Sequence, residues 1–165
     1  MGEIVAQSTE AKTEETPFFA YVGEHDFKLD DRNRVAVPKS WRVPGDTDSF
    51  YFAWPYPDGY LQVLPRPRYL DLLAAKKRTR LSSPAKQRAF NQIFRDGEML
   101  SCDGQGRVLL SKKLCAKVGI GPRAAVKLVG GGDLFEIHDN PQPDAESADE
   151  ASPDDILAAL AEAGI

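Results

Sequence analysis

Leu29-Asp30-Asp31-Arg32-Asn33-Arg34-Val35-Ala36-Val37-Pro38 decides how this chain is read, because its skeleton returns at Asp103-Gly104-Gln105-Gly106-Arg107-Val108-Leu109-Leu110. Asp30 maps onto Asp103 and Arg34 onto Arg107, both at an offset of 73 residues. In each copy an apolar run follows the arginine and a turn precedes it. The turn needs a residue that tolerates positive φ, and Asn33 and Gly106 supply it. An aspartate opening such a turn can accept hydrogen bonds from backbone two residues on and close it. Asp30, Asp103, Asn33 and Gly106 are therefore expected to be structural turn residues, with Arg34 and Arg107 placed where the returning strand begins.

The correspondence extends outward. Trp41 lies over Leu114 at the same offset, and Gly23-Glu24 matches Gly97-Glu98 at an offset of 74. Tyr60-Leu61-Gln62-Val63 likewise matches Leu134-Phe135-Glu136-Ile137. Each copy reads as strand, tight turn, strand, a short helical or irregular piece, then a second hairpin. Phe50-Tyr51-Phe52-Ala53 and Val126-Lys127-Leu128-Val129 start the second hairpins, and Pro57-Asp58-Gly59 and Gly130-Gly131-Gly132 reverse them. Between the copies, Tyr69, Leu70, Leu73 and Ala74 fall at helical spacing. A second helix should begin at Ser83-Pro84, with Phe90, Ile93 and Phe94 on its apolar face. The fold expected is mainly β with helices (α+β): two pseudo-symmetric β units joined by a helical pair and packed on each other.

The ends differ from this body. Residues 1–17 read as a flexible acidic arm, 18–81 as the first half with its helix and 82–139 as the second half with its helix. Residues 140–165 read as an acidic tail with a short terminal helix started by Ser152-Pro153-Asp154-Asp155. The net charge of −4 hides a partition. Residues 22–138 carry 20 Lys and Arg against 13 Asp and Glu, or +7, whereas residues 1–21 sum to −3 and residues 139–165 to −8. A basic body between acidic ends suits a polyanionic partner.

Lys28, Arg32, Lys39 and Arg42 flank the first arginine, and Lys112, Lys113 and Lys117 follow the second. A two-stranded ribbon fits the major groove of B-DNA, where an arginine can fork onto guanine O6 and N7 while lysines hold phosphates. The candidate DNA-binding set is Arg34, Arg107, Arg32, Lys39, Arg42, Lys28 and Lys112. Asp-x-x-x-Arg opening a V-x-V-P strand, repeated once with a helical pair between, resembles the MraZ family of bacterial transcriptional regulators. Each half is similar to an AbrB-like swapped-hairpin module, and the likeness runs from about Phe18 to about Asp139. The resemblance implies homo-oligomeric rings bound to short direct repeats in double-stranded DNA, upstream of the division and cell-wall gene cluster, usually as a repressor. Arg34 and Arg107 take the family's DNA-contacting position. Three positions depart from its pattern: Gln105 replaces the basic residue matched by Arg32, Ser111 stands opposite Pro38, and Cys115 stands where an arginine matching Arg42 is usual. The first hairpin is therefore expected to carry most of the DNA contact.

Other features point elsewhere less strongly. Lys76-Lys77-Arg78-Thr79-Arg80 reads as a solvated helix end, and Trp54, Tyr56 and Tyr60 as packing between halves rather than a base-stacking platform. No nucleophile and base appear at a recognisable spacing, so no enzyme, catalytic residue or small-molecule substrate is expected. His25 and His138 stand apart from Cys102 and Cys115, so no metal or other cofactor is expected. No run is long enough to span a bilayer, and Met1-Gly2-Glu3-Ile4-Val5 does not resemble a signal peptide. With no Cys-x-x-Cys, the expected location is the cytoplasm, and the MraZ resemblance implies association with the nucleoid. The alternative is a ring-forming protein-interaction module without direct DNA readout.

Overall fold

The computed structural model describes residues 21–42, 50–79, 83–141 and 150–165. The arm at 1–17 and most of the acidic stretch before the terminal helix lie outside them. The described residues form an α+β structure, mainly antiparallel sheet with four α-helices. The strands are β1 (Glu24–Lys28), β2 (Arg34–Ala36), β3 (Phe50–Tyr56), β4 (Tyr60–Pro65), β5 (Glu98–Ser101), β6 (Arg107–Leu109), β7 (Ala125–Gly130) and β8 (Phe135–Asp139). The helices are α1 (Arg66–Arg78), α2 (Pro84–Asp96), α3 (Lys112–Lys117) and α4 (Pro153–Glu162). Six strands form one sheet in the order β1-β7-β8-β4-β3-β5, and β2 pairs with β6 in a separate ribbon.

The core lies between this sheet and the ribbon. Alternation points Tyr51 and Ala53 of β3, Leu61 and Val63 of β4, Val126 and Leu128 of β7, and Phe135 and Ile137 of β8 inward. Val35 and Val108 close it from the ribbon, with Trp41, Leu114, Val118 and Ile120 beside them. Phe135 sits at the centre, its ring 5.2 Å from those of Tyr21 and Trp41 and 5.5 Å from that of Tyr51. The Trp41 indole N–H donates to the Val22 carbonyl at 2.9 Å, which lets a large ring be buried without an unpaired donor.

α1 and α2 lie on the sheet's other face. Phe52 points away from the core and meets Tyr69 of α1 and Phe94 of α2, at centroid distances of 5.2 Å and 5.7 Å. Ser83 starts α2, its hydroxyl accepting the Ala85 N–H at 3.2 Å with Pro84 in the first turn. α1 ends on Lys76, Lys77 and Arg78, where cations meet the negative end of the helix dipole.

Candidate nucleic-acid interface

Each tight turn is held by its aspartate in the same way. Asp30 Oδ1 accepts the N–H groups of Arg32 and Arg34 at 2.9 Å and 2.8 Å, and Oδ2 accepts Arg34 Nε at 2.7 Å. Asp103 Oδ1 accepts those of Gln105 and Arg107, both at 2.9 Å, and Oδ2 accepts Arg107 Nε at 2.9 Å. Backbone N–H donors, chiefly those of Arg34 and Arg107, stabilise the charged carboxylates and lower both pKa values from 3.8. Asn33 and Gly106 occupy the left-handed region, at φ 59° and 78°. Both turns have the hydrogen-bonded form read from the sequence.

The ribbon joins the two turns across more than 70 residues of chain, so β2 pairs with β6 rather than with β1, as the expected local hairpin would have it. Arg34 pairs with Leu109, Val35 with Val108 and Ala36 with Arg107. Beyond the ladder the ends lock reciprocally: Val37 N–H donates to the Gly106 carbonyl at 2.8 Å, and Leu110 N–H to the Asn33 carbonyl at 2.9 Å. Val35 and Val108 face the core at 2% and 1% exposure. Strand alternation therefore turns Arg34, Ala36, Arg107 and the exposed Leu109 to the opposite face. Arg34 and Arg107 are diagonal neighbours there, a relation that sets Cα atoms about 7–8 Å apart. Each guanidinium is anchored through Nε, which leaves its terminal Nη edge outside the Asp bond.

The remaining candidates fall in different places. Arg32 is exposed on the first turn, and Lys39 is exposed at the start of a 3-10 turn, Lys39–Trp41, directly after β2. Arg42 crosses to the other turn: its guanidinium lies against Gly106, close enough that a Cβ there would overlap it. Lys112 begins α3 and lines, with Asn33, Cys115, Ile120 and Pro122, an open cavity of about 480 Å³ beside the first turn. Each turn thus has a basic residue of the other half next to it. Lys28 stands apart. It alternates with Phe27 and Leu29, which pack toward the core, so it sits on the far face of the sheet from the ribbon arginines.

Ser111, opposite Pro38 in the repeat, has a specific role. Its hydroxyl accepts the Leu114 N–H at 3.0 Å and donates to Glu98, capping α3. Pro38 has no such side chain, and only a 3-10 turn follows it. Cys115 is buried, and burial with Glu98 nearby pushes its thiol up to about 11. Trp54 meets Tyr56 edge-on, Tyr56 stacks on Tyr60, and Tyr60 stacks on His138 across β4 and β8 at 4.4 Å. Burial, and then Glu136, raises the Tyr60 phenol. Lys76 Nζ lies 5.3 Å over the Phe94 ring, while Lys77 and Arg78 are exposed and Arg80 is outside the described residues. Among the described residues no three His, Cys, Asp or Glu side chains are grouped as a metal site would need, and no helix is long and apolar enough to cross a membrane.

Sequence reasoning missed the contact of Arg42 with Gly106 and the bond from Ser111 to Glu98. Neither has a local signal, since each joins residues set together by tertiary packing. No protein-family model matches the chain, and no curated protein matches it.

Proposed function

We propose that this protein is a sequence-specific, double-stranded-DNA-binding transcriptional regulator that reads its operator with the β2–β6 ribbon. The observation that carries the reading is the pair of arginines, Arg34 and Arg107, on the outward face of that ribbon, each held by an aspartate through Nε. A fixed guanidinium with a free Nη edge suits a fork onto guanine O6 and N7 or onto a phosphate, with less side-chain entropy to lose on binding. Arg32, Lys39, Arg42 and Lys112 around the ribbon would hold phosphates and set its register. Lys28, on the far face, has the weakest claim.

The finer architecture belongs to the same proposal. The halves are two interleaved, AbrB-like swapped-hairpin units of the kind the MraZ resemblance implies. Its support is topological: exchanging each strand of one half for its counterpart in the other turns β1-β7-β8-β4-β3-β5 into its own reverse. β1 pairs with β7, β5 with β3, β4 with β8 and β2 with β6, so these contacts all cross between halves. Carried over with the resemblance are ring assembly, short direct repeats upstream of the division and cell-wall gene cluster, repression, nucleoid association and a non-enzymatic role.

Salt titration of binding to the duplex upstream of the protein's own gene is the test. Two hairpins that each neutralise two to three phosphates give a log–log salt slope of roughly −4 to −5. A flat salt response, or equal affinity for unrelated duplex, overturns sequence-specific reading.

A further inference from the structure

The C-terminal helix is well started, and every one of its residues is exposed. Ser152 caps α4, its hydroxyl accepting the Asp155 N–H at 3.2 Å, with Pro153 in the first turn and Asp154 and Asp155 at the positive end of the dipole. All of residues 150–165 are exposed, including Ile156 at 51%, Leu157 at 63% and Leu160 at 40%. These three share one face of a 10-residue helix. Isolated helices shorter than about 12–15 residues are marginal in water, so α4 needs a surface against its apolar face.

A complementary surface lies on the helical pair. α1 and α2 carry eight Lys and Arg against Asp71 and Asp96, whereas residues 150–165 carry Glu150, Asp154, Asp155 and Glu162 and no base. Between α1 and α2 is a cavity of about 300 Å³ lined by Leu73, Lys76, Lys77, Gln87 and Asn91. Leu70 is exposed one helical turn before Leu73 on α1. The groove offers the Leu73 side chain beside a cationic rim of Lys76 and Lys77. α4 offers an apolar stripe beside an acidic first turn.

We infer that α4 of one copy docks in the α1–α2 groove of a second copy of this chain, with Ile156, Leu157 and Leu160 over Leu73 and with Asp154 and Asp155 against Lys76 and Lys77. In the single chain every residue of α4 is exposed, so its own groove does not cover it, whereas a second copy brings an acidic helix to a basic groove. Because each copy gives one helix and receives another, the contact closes either as a reciprocal two-fold pair or, if heterologous, as a ring. The ribbon arginines take no part, so failure of this contact leaves the DNA reading intact.

The test uses full chains in a Cys102→Ser background. One tagged copy carries Ala161→Cys on α4, a differently tagged copy carries Asn91→Cys at the groove, and a short thiol-specific cross-linker is added to the mixture. A product bearing both tags is expected. Lys76→Glu with Lys77→Glu in the groove copy should lower it about tenfold, as like charges replace opposite ones across the contact. Asp154→Lys with Asp155→Lys in the helix copy should then restore it, which a misfolded groove would not permit. No two-tag product, cross-linking confined to one chain when both cysteines are in it, or a yield indifferent to charge reversal would each overturn the inference.

Discussion

Replacing Gly106 by alanine separates two demands that the second turn makes. At φ 78° a Cβ meets the following carbonyl, a penalty of about 1–2 kcal/mol for an L-residue. The added atom would also overlap the Arg42 guanidinium and lie 2.8 Å from its Nε. That guanidinium is the end of a flexible side chain and can swing aside, so the backbone term should dominate. Gly106→Ala is expected to destabilise the chain by about 1–2 kcal/mol, a five- to thirtyfold change in the folding equilibrium. Gly106→Asn should cost less, because Asn33 already adopts φ 59° in the sister turn. Urea denaturation of both variants, alone and with Arg42→Ala, provides the measurement. If the backbone dominates, the cost of Gly106→Ala is the same in either background to within about 0.5 kcal/mol. A penalty that vanishes with Arg42→Ala would refute the reasoning and make the arginine's seat, not the turn, the reason for glycine.

Three further outcomes follow from the geometry. Phe135→Ala, at the ring cluster with Tyr21, Trp41 and Tyr51, should cost about 3–5 kcal/mol in the same urea assay, and less than 1 kcal/mol would show the core misassigned. Asp30 and Asp103 have native pKa values below 3.8, so their stabilisation is complete above that value and is lost as pH falls through the lower native values. The Asp30→Asn, Asp103→Asn chain should therefore have a flatter acid limb in stability measured against pH, and an unchanged limb would remove the turn carboxylates from the account. With its thiol at about 11 and its side chain buried, Cys115 should be alkylated at pH 8 only after unfolding, as read by mass spectrometry; rapid native labelling would contradict its burial.

What was legible in the sequence was local. The Asp-x-x-x-Arg turns, the positive-φ positions at Asn33 and Gly106, the hairpin reversals and the Ser-Pro helix starts at Ser83 and Ser152 follow from chemistry within a few residues. Strand partners did not follow from that chemistry. Val35 and Val108 are 73 positions apart, and β-branched residues at both places would serve any apolar neighbour. The site splits along the same line. Aspartate locking arginine is written into the spacing, but the diagonal placement of Arg34 and Arg107 exists only through β2–β6 register. The Arg42 seat needs that register and also the bare Gly106 backbone. Lys28 shows the opposite limit: closeness in sequence to the motif does not put a side chain on its face, because one strand step reverses direction. Cys115, read as a lost arginine, leaves an open cavity beside Asn33 where the other half has Arg42 against its turn glycine.

The central claim is that Arg34 and Arg107 meet DNA together and unequally. Duplex affinity at fixed salt, measured for the parent chain, Arg34→Ala, Arg107→Ala and the double variant, tests it most directly. The expected result is a loss for each single variant, larger for Arg34→Ala, with about 1–3 kcal/mol of sequence discrimination removed where a guanine fork is lost. Unchanged affinity in Arg34→Ala, with the fold intact by circular dichroism, would contradict the account.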